Sequence, residues 1–287
     1  MEHQGFYLNL ALKKIKIGNV SFGLRQIGKG ADLVFVHGFP THGYTWRKLL
    51  PDLSQKFKCH IIDLPGLGDS EWSRKTNFNI SAQATAIQLL LDQLRIGKYH
   101  LIAHNSGGTI ARIMAINEPE RVENLILINT EIPNHRPPFI ELYQKIGLLP
   151  FVAFHIRRQL NNRRFIRSSM GFKQAYSDKS MLDDAHNLDP YLKPLVDSKH
   201  KAIGAFKYLK GIDWSTIDEF ERTHHMIKAR ILFLWGQDDR TFPIHLGKEM
   251  VTQFKTHVEF VAVENASLLP HEEQPDFVLQ ELIRFLE

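Results

Sequence analysis

The chain has 287 residues, 43% hydrophobic and 23% charged, with a formal net charge of +5. These are the proportions of an ordinary globular protein, and they exclude a disordered or fibrous chain. The small positive excess is spread along the sequence rather than gathered into the patch or arm of a nucleic-acid binder. At this length one large domain or two are expected. The single cysteine, Cys59, excludes an internal disulfide and points to a reducing, cytoplasmic setting. Met1-Glu2-His3-Gln4-Gly5 has no basic segment leading into an apolar one, so no signal peptide is expected. The longest apolar runs fall far short of the ~20 residues of a membrane span.

In chain order, Leu33-Val34-Phe35-Val36 is a short apolar run closed by His37-Gly38-Phe39-Pro40, the pattern of a strand buried on both faces. Cys59-His60-Ile61-Ile62 is a second, closed by Asp63-Leu64-Pro65-Gly66-Leu67-Gly68. From Ser81 the period changes. Ile87, Leu90, Leu91 and Leu94 share one helix face, with Ser81 expected as N-cap and Gly97 as the residue after the C-cap. His100-Leu101-Ile102-Ala103 returns to strand and runs through His104-Asn105-Ser106-Gly107-Gly108 into a helix carrying Ile110, Ile113 and Met114. Leu125-Ile126-Leu127-Ile128 is the next strand. Strands alternating with helices imply βαβ units, a parallel sheet and right-handed crossovers.

Residues 133–222 break this rhythm and read as a helical insertion, with no strand-like run. They include Pro137-Pro138 and a basic stretch of Arg157, Arg158, Arg163, Arg164 and Arg167. That stretch reads as a solvated helix face, or as a contact for an acidic ligand or an anionic lipid surface. The strand rhythm resumes at Ile231–Trp235 and Val258–Val261, and a last helix has Val278, Leu282 and Phe285 on one face. The core is thus expected over 1–132 and 223–287.

Four of these segments together resemble the α/β-hydrolase fold. His37-Gly38-Phe39-Pro40 stands where that family places its oxyanion loop. Asp63-Leu64-Pro65-Gly66-Leu67-Gly68-Asp69-Ser70 is similar to its D-x-P-G-x-G-x-S loop. Ala103–Gly108 falls at the nucleophile elbow, and Trp235-Gly236-Gln237-Asp238-Asp239-Arg240-Thr241-Phe242-Pro243 falls where the family has its acid. The resemblance implies a mostly parallel central sheet flanked by helices, with a helical cap at 133–222. Within the fold, the elbow and the Leu-Pro-His-Glu-Glu ending resemble haloalkane dehalogenases and epoxide hydrolases. In those enzymes an Asp carboxylate forms an ester with substrate and a His-activated water cleaves it.

The reactive groups that this chemistry needs are replaced. Counting from the Gly-Gly pair puts Ala103 and Gly107 around position 105, which is Asn105, an uncharged amide and a poor nucleophile. The other register makes Ser106 the nucleophile, as in a serine esterase, and sets bulky His104 at the crowded position. In Ala266-Ser267-Leu268-Leu269-Pro270-His271 the position of the base holds Leu268, which can neither take a proton nor orient water. His271 is a structural residue or a displaced base. Asp239 keeps the position of the acid that would orient a histidine, with Asp238 its neighbour. The backbone N–H groups of Phe39 and Ser106 would form the oxyanion hole. Dehalogenases bind halide with a Trp after the nucleophile, where this chain has Ser106; some also use an Asn in the oxyanion loop, where it has Phe39. Tyr176, Tyr191 and Tyr208 lie in the insertion and read as packing residues or ring-opening acids.

Other chemistries find no support. His224-His225 lacks metal-ligand spacing. Gly66-Leu67-Gly68 lacks the further glycine of a dinucleotide loop, and there is no Walker loop. No metal and no cofactor is expected. Three readings remain open: a dehalogenase- or epoxide-hydrolase-like protein impaired natively or by engineering, a non-catalytic protein holding a small apolar molecule in the cleft between cap and core, and a serine esterase using Ser106.

Overall fold

In a computed structural model the described residues are 2–147 and 149–287. The strands are β1 (Leu12–Ile17), β2 (Val20–Ile27), β3 (Ala31–Val36), β4 (Phe57–Ile62), β5 (Glu71–Trp72), β6 (Tyr99–His104), β7 (Val122–Ile128), β8 (Arg230–Gly236) and β9 (Val258–Val263). They form one sheet in the order β1-β2-β4-β3-β6-β7-β8-β9, with β5 pairing with β2. From β4 to β9 every neighbouring pair is parallel; β1, β2 and β5 add an antiparallel edge.

The helices are α1 (Glu2–Leu8), α2 (Leu50–Lys56), α3 (Ile80–Gln93), α4 (Ser106–Asn117), α5 (Pro138–Ile146), α6 (Pro150–Gln159), α7 (Arg163–Ile166), α8 (Asp189–Asp197), α9 (Lys199–Lys210), α10 (Trp214–Thr223), α11 (Ile244–Met250), α12 (Pro270–Glu273) and α13 (Pro275–Leu286). Both faces of the sheet are covered, which is why its central strands are apolar throughout. Val34, Val36, Leu101, Ala103, Leu125 and Leu127 face a core shared with α3 and α4. Leu33, Phe35, Ile102, Ile126 and Ile128 face another shared with α2 and α13. Ile87, Leu90 and Leu91 of α3 are fully buried, each worth roughly 1.5–3 kcal/mol of apolar burial.

Helices α5–α10 fill the interval between β7 and β8. A buried carboxylate is one of their ties to the core. The fully buried Glu272 of α12 pairs with Arg47 at 3.1 Å, accepts from Thr45 at 2.9 Å and Tyr176 at 3.0 Å, and is also bonded by the Tyr191 hydroxyl. The Arg47 charge, with these donors, holds its carboxyl below the usual range despite burial. Among the described residues, no helix is long and apolar enough to cross a membrane, and no group of three or more His, Cys, Asp or Glu side chains is placed to hold a metal.

Two local expectations are corrected, and one element lay outside them. The side chain of Asn79, not Ser81, caps α3, accepting the Ser81 N–H at 2.9 Å. The left-handed residue that follows α3 is Arg95, at φ 57°, rather than Gly97. The hairpin of β1 and β2 was not anticipated, although Gly18-Asn19 between alternating strands is a turn signal.

Candidate functional site

The chain leaves β3 toward β4 on one side and returns through β6 on the other. The loops after β3 and β6 therefore part, opening a crevice at the carboxyl ends of the strands. Phe39 and Asn105 sit there. Asn105 links β6 to α4 at φ 52°, ψ −132°, a sparsely populated conformation of the kind that marks a functional turn. Small neighbours make the turn possible. A Cβ on Gly107 would lie 2.4 Å from the carbonyl oxygens of Val36 and His37, and one on Gly38 would lie 2.4 Å from the Asn105 Cβ.

The amide oxygen of Asn105 accepts the Ser106 N–H at 2.6 Å and the Phe39 N–H at 3.3 Å. These are the two donors expected to line an oxyanion hole, and the elbow's own side chain meets both. Among the described residues no acceptor meets Asn105 Nδ2. Ser106 is fully buried; its Oγ accepts the Phe39 N–H at 3.2 Å and shares a hydrogen bond of 2.8 Å with the Tyr208 hydroxyl. The Tyr208 ring stacks on Phe39 with centroids 6.2 Å apart. Of the three tyrosines singled out in the insertion, Tyr208 reaches the elbow, whereas Tyr176 and Tyr191 hold Glu272.

Asp239 follows β8. It accepts from Asn129 Nδ2 at 2.6 Å and from the Thr241 and Phe242 N–H groups at 2.7 and 3.1 Å. Burial raises its pKa to about 7 against the pull of these donors. No imidazole is bonded to Asp239, Asn105 or Ser106 among the described residues. Leu268, in the loop after β9, lines the cavity with Asn105. Its carbonyl bonds His104 Nε2 at 2.8 Å, which ties this loop to the end of β6. His271 is buried with Nε2 2.6 Å from Thr45 Oγ1. Because that hydroxyl donates to Glu272, the imidazole is the donor. The His271 ring packs 4.8 Å from both Trp46 and His104, and His271 is not among the residues that line the cavity.

The cavity holds about 130 Å³ between the elbow and helices α5–α9. On this measure a water needs ~10–15 Å³, so there is room for a small molecule. Its wall is apolar, formed by residues such as Phe39, Ile140, Phe206 and Leu268, and its charged lining residues are Glu131 and Arg157. Glu131 was missed by the sequence reading. Its Oε2 accepts from Thr109 at 2.9 Å and Thr130 at 3.3 Å, and burial raises the pKa of its carboxyl. The available signal was an acidic residue three positions past an apolar strand, at the carboxyl edge of the sheet.

This fold and crevice define a class, and sequence comparison agrees. The chain belongs to the α/β hydrolase fold family, whose model matches residues 33–275. It is 27% identical over 259 residues to the uncharacterized hydrolase YugF of Bacillus subtilis (strain 168), covering 89% of each chain. It is 26% identical over 270 residues to epoxide hydrolase 4 of Homo sapiens, covering 89% of this chain and 72% of that one. Among solved structures, the epoxide hydrolase CorEH without ligand superposes with a TM-score of 0.80 at 21% identity, covering 96% of this chain and 98% of the other.

Proposed function

We propose that this protein holds a small apolar molecule in the cleft between its hydrolase core and a helical cap at 133–222, with the ester-forming machinery of its epoxide hydrolase relatives impaired at two positions. Asn105 stands for the nucleophile and Leu268 for the base; Asp239 keeps the place of the acid. The observation that carries this reading is the elbow itself. An amide occupies the strained turn and accepts both nearby N–H groups, while a hydrocarbon side chain lines the same cavity. Asn105 Nδ2 is then a donor for a carbonyl or ether oxygen of the ligand, in an otherwise apolar site. A cytoplasmic setting suits the buried thiol of Cys59. The Ser106 reading is less favoured, because its hydroxyl faces Tyr208 and Phe39 rather than an imidazole.

The test is Asn105→Asp combined with Leu268→His, run beside the unaltered chain on alkyl halides, epoxides and esters. The double variant should gain turnover by several orders of magnitude, since nucleophile and base act as a unit. No gain on any member of the panel from a folded variant would overturn the assignment of these positions. A thermal-shift screen tests the ligand-holding part: a hundredfold excess over Kd stabilises by ~2.7 kcal/mol.

A further inference from the structure

Residues 142–177 contain no Asp or Glu, yet hold Lys145, Lys173 and the five arginines of 157–167. Two of those charges are met within the fold: Arg163 pairs with Asp189 at 2.8 Å, and Arg167 pairs with Asp183. Arg158 and Arg164 are exposed, with no carboxylate partner among the described residues. The same stretch exposes large apolar side chains: Phe151 at 89%, Phe154 at 65% and Leu149 at 53%.

On α6 the positions of Phe151, Phe154 and Arg158 are spaced i, i+3, i+7, so they share one face. Ile156 and Arg157 of the same helix line the cavity, as does Met170, which is itself 40% exposed. One side of this region is therefore aromatic and cationic toward solvent, and the other borders the apolar cavity. Protruding rings among charges of one sign are the composition of a helix that lies in the headgroup plane of a bilayer. An anionic surface supplies the missing countercharge for Arg158 and Arg164.

We infer that the face formed by Leu149, Phe151, Phe154, Arg158 and Arg164 docks on an anionic lipid bilayer, with the mouth of the cavity beside the membrane. An apolar ligand then passes between bilayer and cavity without crossing water. This surface is independent of the residues at positions 105 and 268, so it stands or falls separately from the reading of the elbow.

The test is co-sedimentation of the full chain with phosphatidylcholine vesicles, with and without phosphatidylglycerol. Anionic vesicles should bind at least about tenfold more tightly than neutral ones, and added salt should release the protein. Phe151→Ser with Phe154→Ser changes only exposed positions and should weaken binding by about tenfold or more. Arg158→Gln and Arg164→Gln should each weaken it on the order of fivefold. Absence of binding, equal binding to neutral vesicles, or full binding by the double serine variant would overturn the proposal. So would an oligomer of the free protein that the double serine variant dissociates, because the face would then join two copies of the chain.

Discussion

At the scale of single residues, the site turns on what one atom at position 105 can do. Asn105 sits at the start of α4 with two N–H groups on its amide oxygen. A carboxylate in its place would accept the same donors and gain from the helix N-terminus, both of which favour its ionised form against burial. Asn105→Asp alone should therefore react once with a primary alkyl bromide. The carboxylate oxygen forms a bond to carbon, the carbon–bromine bond breaks, and bromide leaves. Leu268 cannot activate water, so the ester should persist, and intact-mass spectrometry should show one alkyl adduct on the variant and none on the unaltered chain. Turnover without a lasting adduct would mean that another group, Glu131 first among them, activates water, and the role given to position 268 would fall.

At the scale of elements, the parallel half of the sheet was readable because strands buried on both faces are continuous apolar runs, as in β3, β4, β6, β7 and β8. Turn chemistry was less readable. The α3 cap fell two residues early because Asn79 and Ser81 are both capping residues, and only the backbone decides between them. At the cavity, Asn105 and Leu268 could be counted along the chain. Tyr208 and Glu131 could not be assigned, because they reach the crevice from separate elements that only packing brings together. Close approach between elements gives a sharp prediction. Gly107→Ala drives a methyl against the carbonyl oxygens of Val36 and His37, at the end of β3, and should cost about 3 kcal/mol. Gly97→Ala, with nothing within 4 Å of its Cβ, should stay within ~0.5 kcal/mol of the parent. Urea unfolding of the two variants checks the pair, and equal stabilities would refute the packing argument.

At the scale of the whole molecule, burial of ionisable groups sets how stability responds to pH. Burial lowers the pKa of His37 and His104 to about 4 and that of His224 to about 2, and holds His271 well below its ordinary value. Below about pH 6.5 the unfolded chain binds protons at these four sites and the native chain does not, so acidification favours unfolding. Asp239 and Glu273 act in the opposite sense. Burial raises both to about 7, so on acidification from neutral pH the native state takes up their protons before the unfolded chain does. Between pH 7 and pH 5 these four histidines outweigh the two acids, so the native state loses stability over that interval. Asp239→Asn removes one compensating proton, and the loss over the same interval should grow by about 2 kcal/mol, whatever the variant's stability at pH 7. Urea unfolding at both pH values measures the difference for each protein. A parent chain as stable at pH 5 as at pH 7 would overturn the claim that burial keeps these imidazoles neutral in the native fold.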